Sequence, residues 1–423
     1  MKNKATNYTL TLSVMMFLQY AVRGVWLPFL AKYLVSPKIE GGLGFSGTEV
    51  GWIMGLAGAT GAIIAPFAGQ IADRYLNAEK TLAGLLIFSG IINYATAYAT
   101  NFWFFLFLSI GFSITYMPTL SLANSVAFAN LNNTDRQYPM VRATGTLGWI
   151  IVSVLFSWFW LATDDSFTNT HRIVDSLKIS AIIAIAYGLW AWFRLPNCQP
   201  THAKSVAVIK ALKLMIRPIM ILFLFATIII SMIHNAYYFR IAPYLVDAIG
   251  FPLKYTGAVM AVGYAAEIAA LWLLGRYVHK IGYRNVILIG ITSYIIRFTI
   301  FGVTDSYLWS ILGMSLHGIN FACFIAVSFM FVERVADVDI RHSAQTVYGM
   351  ISMGVAPILA GFYNGYFDRF QTNGVQSYSQ FWLTGAVLAA FVFVLIAAFF
   401  WPNVKDANDN ITPDDLELAD EVM

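Results

Sequence analysis

The 423-residue chain is 59% hydrophobic and 11% charged, with a mean hydropathy of +0.67 and a formal charge of +4. Soluble domains carry about 25% charged residues, so there is too little charge here to coat a water-facing surface, and most of the surface must face lipid. The small net charge makes no case for a nucleic-acid partner. Two cysteines, Cys198 and Cys323, form neither a disulfide framework nor a zinc site. No metal and no cofactor are expected.

Apolar runs of about 20 residues mark membrane spans, and the chain contains 12 of them. They fall near 9–34, 48–72, 80–99, 102–130, 141–162, 177–195, 216–246, 255–275, 284–303, 307–335, 343–367 and 379–401. The first follows a short basic start, is too long for a leader and has no small-residue cleavage site, so it is expected to be retained as a span. With the N-terminus inside, 16 Lys and Arg lie in inside segments and 6 outside. That excess places both termini in the cytoplasm. The remaining 4 lie within spans: Arg23, Arg142, Arg240 and Arg297.

The chain divides in two. The basic, polar stretch PNCQPTHAKSVAVIKALK at 196–213 has six spans on either side. GQIADRYLNAEK from Gly69 and GRYVHKIGYRN from Gly275 occupy equivalent junctions about 206 positions apart. An internal repeat of this kind is the signature of a two-bundle transporter. The expected fold is all-α and polytopic, with 12 transmembrane helices in two six-helix bundles. Its parts are 1–195 (first bundle), 196–215 (cytoplasmic linker), 216–402 (second bundle) and 403–423 (acidic, flexible tail).

The run PMVRATGTLGW at 139–149 puts Arg142, Thr146 and Trp149 on one helical face, with Gly145 and Gly148 leaving another flank small. A guanidinium cannot shed its charge, so within a membrane it must face water, a carboxylate or a ligand. Glu267 is the only carboxylate deep in a second-half span, ~18 Å along the helix from its outer end, which makes it a candidate proton carrier or acceptor of ligand hydroxyls. The bland reading is a fixed salt bridge to Arg240 or Arg297. His234 and His317 titrate in a useful range and can share the proton role. Asn235 and Tyr238 offer donors and acceptors on one face. Trp149, Tyr264, Phe321 and Phe324 are candidate stacking platforms. Asp73 and Arg74, and Glu333 and Arg334, stand at inner helix ends as candidate gates.

Six spans plus six, with the loop Gly69-Gln70-Ile71-Ala72-Asp73-Arg74, resembles the major facilitator superfamily, although Asn77, Ala78 and Glu79 replace that loop's later residues. Several points also resemble bacterial nucleoside–proton symporters. They are Phe17-Leu18-Gln19-Tyr20, Tyr116-Met117-Pro118-Thr119-Leu120, Arg142-x-x-Gly145-Thr146-x-Gly148, Arg297-Phe298, and Phe331-Val332-Glu333 followed by Arg341-x-Ser343-Ala344-Gln345. The resemblance implies proton-coupled nucleoside uptake across the bacterial inner membrane by a lipid-embedded monomer. It further implies ligand contacts at Arg142, Thr146, Trp149, Asn235, Tyr238, Tyr264, Glu267, His317 and Phe321. Two departures stand out: Ala322 where a carboxylate is expected, and Arg23 where the family has an apolar or aromatic residue. The Arg142 run also resembles disaccharide–proton symporters, so a sugar or small glycoside is the alternative substrate. No intramembrane protease motif or nucleophile arrangement is present, and no enzyme is expected.

Overall fold

The computed structural model describes residues 8–65, 77–131, 134–163, 165–198, 212–336, 341–372, 375–376 and 378–401. The loop carrying Asp73 and Arg74, most of the linker and the acidic tail lie outside the described residues, as do the side chains of Arg341 and Ser343.

Among the described residues the long helices are α1 (Thr9–Val35), α2 (Gly47–Ala65), α3 (Ala78–Thr96), α4 (Phe102–Asn130), α5 (Met140–Trp160) and α6 (Ser166–Arg194), followed by α7 (Pro218–Ala248), α8 (Leu253–Leu274), α9 (Tyr283–Val303), α10 (Tyr307–Val335), α11 (Ala344–Arg369) and α12 (Ser379–Phe399). Eleven are long and apolar enough to cross a membrane. The remaining one, α3, has its hydropathy diluted by Glu79, Lys80 and Asn93, and its neighbours satisfy those groups. Glu79 Oε2 accepts from the Cys198 N–H at 2.9 Å, and Asn93 Nδ2 donates to Ser180 Oγ of α6 at 2.9 Å. Lys80 donates to the Trp192 carbonyl. A polar group with a partner is tolerated in a span where an orphan is not.

Local chemistry sets the helix ends. Ser46 and Glu49 form a reciprocal capping box at the start of α2, and Asn101 caps α4. The sixth segment starts well before the expected residue 177, because Asp165 accepts from the Thr168 N–H at 2.9 Å and nucleates an extra turn. In α1 the helix breaks at Val25–Trp26, just ahead of Pro28, which has no N–H to give. Arg23 therefore lies in the last turn of the first segment and Lys32 rides on the second. Among the described residues the one departure from helices and their connections is a two-residue antiparallel pair, Gln371–Thr372 with Val375–Gln376.

The apolar side chains form two cores. One is built from Leu12, Phe29, Leu86, Tyr116, Val141 and Tyr187 among others, with every buried member in the first 195 residues apart from Leu253. The other runs from Leu214 through Phe223, Tyr237, Ile291 and Trp382 to Phe400. Between the cores, α5 packs on α8, α2 on α11, and the second segment of α1 on α7. Within the first bundle, small residues let α1 and α5 approach closely. A Cβ added at Gly148 would lie 2.3 Å from the Phe17 carbonyl oxygen, and one at Gly24 would lie 2.8 Å from Trp149 Cα. The helix that Gly145 and Gly148 admit is thus α1.

Candidate functional site

Where α1 meets α4, two of the sequence motifs interlock. Gln19 Nε2 donates to Thr119 Oγ1 at 2.7 Å, and the Tyr116 hydroxyl donates to the Gln19 carbonyl. Tyr20, beside Gln19, lies under the Arg142 guanidinium, whose Cζ is 4.1 Å from the ring centroid. Such a contact gives roughly 0.5–2 kcal/mol, and the guanidinium N–H groups have no hydrogen-bond acceptor among the described residues.

Across the bundle interface Trp149 of α5 meets Tyr264 of α8 edge to face, with centroids 5.5 Å apart. Trp149 Nε1 is buried without a hydrogen-bond partner. One turn beyond Tyr264, Glu267 is buried at 8% exposure, and its carboxylate has no hydrogen-bond or ion-pair partner among the described residues. The charge acting on it is that of Arg142. Neither Arg240 nor Arg297 pairs with Glu267, so the fixed salt bridge considered from the sequence does not form.

His317 of α10 links this pair to α7. Its Nδ1 lies 3.1 Å from Arg297 Nη1, and its Nε2 lies 3.2 Å from the Tyr238 hydroxyl. Arginine only donates, so Nδ1 accepts, the proton sits on Nε2 and the ring is neutral in this arrangement. Tyr264 stands edge-on to the same ring at 5.5 Å, and His234 stacks on it at 5.5 Å. His234 Nδ1 is 2.6 Å from the Tyr294 hydroxyl. Phe321 closes the cluster beside His234 at 6.5 Å. Asn235 spends its amide N–H on the Ser231 carbonyl at 2.7 Å, leaving its oxygen as acceptor. Thr146 is half-buried on the Arg142 face. Phe324 is different: it is fully buried in the second core against Tyr294, and so is packing rather than platform. Ala322 is likewise fully buried.

Sequence reasoning undervalued Arg297. From the sequence it reads as an anchor outside the cavity, yet it is 0% exposed, bonded to His317 and stacked over Tyr237 at 3.9 Å. An arginine inside an apolar helix is a recognisable signal, but its partner His317 is 20 residues away and only packing reveals it.

The end of the molecule distal to the N-terminus carries a second polar constellation. Arg240 Nε donates to Asn364 Oδ1 at 2.5 Å, and Arg240 Nη2 to Asp368 Oδ1 at 2.6 Å. Asp368 Oδ2 in turn accepts from the Gly47 N–H at 2.5 Å, and Asn364 Nδ2 donates to the Gly47 carbonyl at 2.6 Å. Lys32, counted above with the outside segments, is buried in α1 and pairs with Asp247 at 2.5 Å. These contacts join α1 and α2 to α7 and α11. At the opposite end, Glu333 accepts from Gln345 Nε2 at 2.9 Å within the second bundle.

One glycine fixes the depth of Glu267. A Cβ at Gly318 of α10 would lie 2.2 Å from the Ala266 carbonyl carbon and 2.3 Å from the Glu267 nitrogen. Backbone cannot rotate away, so Gly318→Ala must push α8 and α10 apart, at about 1–3 kcal/mol. We expect a lower melting temperature in purified protein and roughly tenfold slower uptake. Wild-type values for both would show that the seam has slack.

A model of the nucleoside–proton symporter family matches residues 6–405. The chain belongs to that family. It is a multi-pass membrane transporter and not an enzyme. YegT of Escherichia coli (strain K12) is 30% identical over 97% of this chain and 98% of its own length. The xanthosine permease of the same organism is 27% identical, covering 91% of this chain and 94% of that protein. A crystal structure of a mutant form of the nucleoside transporter NupG superposes with a TM-score of 0.84 at 22% identity, covering 93% of this chain and 100% of that one. That likeness shows the fold, which is the major facilitator arrangement expected from the sequence.

Proposed function

We propose that this symporter carries nucleosides inward with protons by alternating access, and that its ligand site lies on the α5–α8 seam. The observation that carries this reading is the gathering along this seam of Arg142 and Glu267, neither with a hydrogen-bond or ion-pair partner among the described residues, and the aromatic pair Trp149–Tyr264. A nucleoside needs an aromatic face for its base and hydrogen-bond donors and acceptors for its ribose hydroxyls. Thr146, Asn235, Tyr238, His317 and Phe321 complete the contacts on the flanking helices. Glu267 is the central proton carrier. His317 joins it only when Arg297 releases Nδ1, since both its ring nitrogens are engaged at rest, whereas His234 has Nδ1 alone engaged, with Tyr294.

In the proposed orientation both termini are cytoplasmic, the protein works as a monomer among inner-membrane lipids, and the bundles are 1–195 and 216–402. The tail at 403–423 and the linker at 196–215 lie on the cytoplasmic side. The Arg240–Asp368 constellation then closes the outer end, and Asp73, Arg74, Glu333 and Arg334 form the inner gate.

The deciding experiment is uptake of radiolabelled uridine and adenosine into proteoliposomes, with and without an inward proton gradient. Accumulation that collapses with a protonophore supports the reading. Absence of nucleoside flux, with saturable uptake of a sugar or glycoside in its place, would overturn it. Arg142→Ala is expected to weaken nucleoside binding about tenfold to a hundredfold, the loss of one charge-assisted contact, measured by titration calorimetry. Unaltered affinity would leave Arg142 only its contact with Tyr20.

A further inference from the structure

Arg23 is a charge that the ligand site does not use. It lies in the last turn of the first segment of α1 and is part-buried. Among the described residues it is in no ion pair. Its one hydrogen-bond partner there is the Met117 sulfur, 3.9 Å from Nη1. A thioether is a weak acceptor and offers little to a cation withdrawn from water. A guanidinium does not lose its proton, so only an anion can balance it.

This side chain opens on a cavity enclosed by the first bundle. Arg23, Trp26, Asn93, Ser109, Ser113 and Leu177 are among the residues that line it, and neither a carboxylate nor any second-bundle residue does. The space open to the centre of a water molecule is about 40 Å³. One water needs about 10–15 Å³ on that measure, so there is room for roughly three waters or one small anion, and none for a nucleoside.

The polar groups of the cavity are donors. Trp26 is 9% exposed, stands edge-on to Phe112 at 5.7 Å, and its Nε1 is buried without a hydrogen-bond partner. Ser109 and Ser113 make no side-chain hydrogen bond among the described residues. Thr96 and Tyr116, by contrast, have given their protons to the carbonyls of Ile92 and Gln19. The break in α1 contributes as well. The nine-residue second segment starts at Leu27, on the cavity wall, and the N-terminal end of a helix carries partial positive charge. A fixed cation, a spare indole N–H and two spare hydroxyls, with no carboxylate beside them, suit an anion.

We propose that this cavity is a binding site for a small monovalent anion of chloride's size, with Arg23 as its counter-charge and Trp26, Ser109 and Ser113 as hydrogen-bond donors. The site is separate from the ligand site on the α5–α8 seam and does not rest on the nucleoside reading. The bound anion balances Arg23 and ties the break in α1 to α4. Because only the folded chain assembles these donors, the anion stabilises it by mass action.

The probe is chloride, set against gluconate, a monovalent anion too large for the cavity. Purified full-length protein in detergent is held at constant ionic strength while sodium chloride replaces sodium gluconate. The wild-type melting temperature is expected to rise with chloride and then level off, as one saturable site requires. Arg23→Leu should remove the chloride-dependent rise altogether. Trp26→Phe, which keeps the ring but has no N–H, should raise the half-saturating chloride concentration about tenfold, the loss of one hydrogen bond to a charged group. A wild-type melting temperature indifferent to chloride would overturn the inference and leave the cavity to water. So would a chloride-dependent rise that survives in Arg23→Leu. Should that variant fail to fold, Trp26→Phe decides, and a half-saturating concentration equal to wild type overturns the site.

Discussion

Glu267→Gln is expected to abolish gradient-driven accumulation while leaving nucleoside exchange across the membrane intact. The reason is the setting of the carboxylate. It is buried, without a hydrogen-bond or ion-pair partner among the described residues, and answered only at a distance by Arg142. An ionised carboxylate in that position is costly unless something neutralises it, and a proton is the smallest thing that can. Glutamine reproduces the shape and neutrality of the protonated acid but has no proton to release. Binding survives because the neutral form is the one loaded with ligand. Coupling is lost because the empty carrier returns without a change of protonation. The measurement is counterflow of radiolabelled uridine set beside accumulation driven by an imposed proton gradient. Counterflow should stay within about threefold of wild type, since hydrogen-bonding capacity is retained, and accumulation should fall to the equilibrative level. Accumulation matching wild type would remove Glu267 from the coupling mechanism.

Arg240→Ala is expected to have the second large effect, on the conformational equilibrium rather than on the chemistry of the site. Arg240 is 4% exposed and donates to Asn364 Oδ1, to the Asn364 carbonyl and to Asp368 Oδ1. Through Asp368 and Asn364 it holds both the N–H and the carbonyl of Gly47, the first residue of α2. Breaking a buried pair by removing one partner costs about 3–5 kcal/mol, because the remaining charge is left uncompensated. If the distal end opens during transport, that cost falls on the closed state alone. The ratio of open to closed should then rise by about two to four orders of magnitude. Spin labels placed at Glu49 and Arg369, on either side of the constellation, should gain a longer-distance population in Arg240→Ala, and uptake should fall. A distance distribution identical to wild type would show that these contacts hold the fold together rather than a gate. Arg240→Lys keeps the charge for Asp368 but cannot reach Asn364 with a planar fork, so an intermediate shift is expected.

The two predictions concern parts of the molecule that were unequally visible beforehand. Glu267 announces itself in the sequence: one carboxylate in the middle of an apolar run is legible by position alone, because the membrane makes any such group expensive. The same holds for Arg142 and for the glycines beside it, whose spacing on a helix is fixed by the 3.6-residue turn. Arg240 is just as conspicuous as an intramembrane charge, but its partners are 124 and 128 residues away, and Gly47 belongs to the other bundle.

The sequence alone determined that this is a membrane protein with two groups of six spans, where most of those spans lie to within a few residues (the early start of the sixth excepted), and which family it resembles. Hydropathy is additive over a window of about 20 residues, and a bilayer reads the chain in the same way. What only the tertiary structure decided is which charges meet. It pairs Lys32 with Asp247 over 215 residues, turns His317 into an acceptor for Arg297, and leaves Arg23 without an anion. The energy of an ion pair or hydrogen bond varies steeply with distance and direction. Those are set by how the helices pack, by glycines that admit a neighbour and a proline that breaks α1, and no local window along the chain contains them.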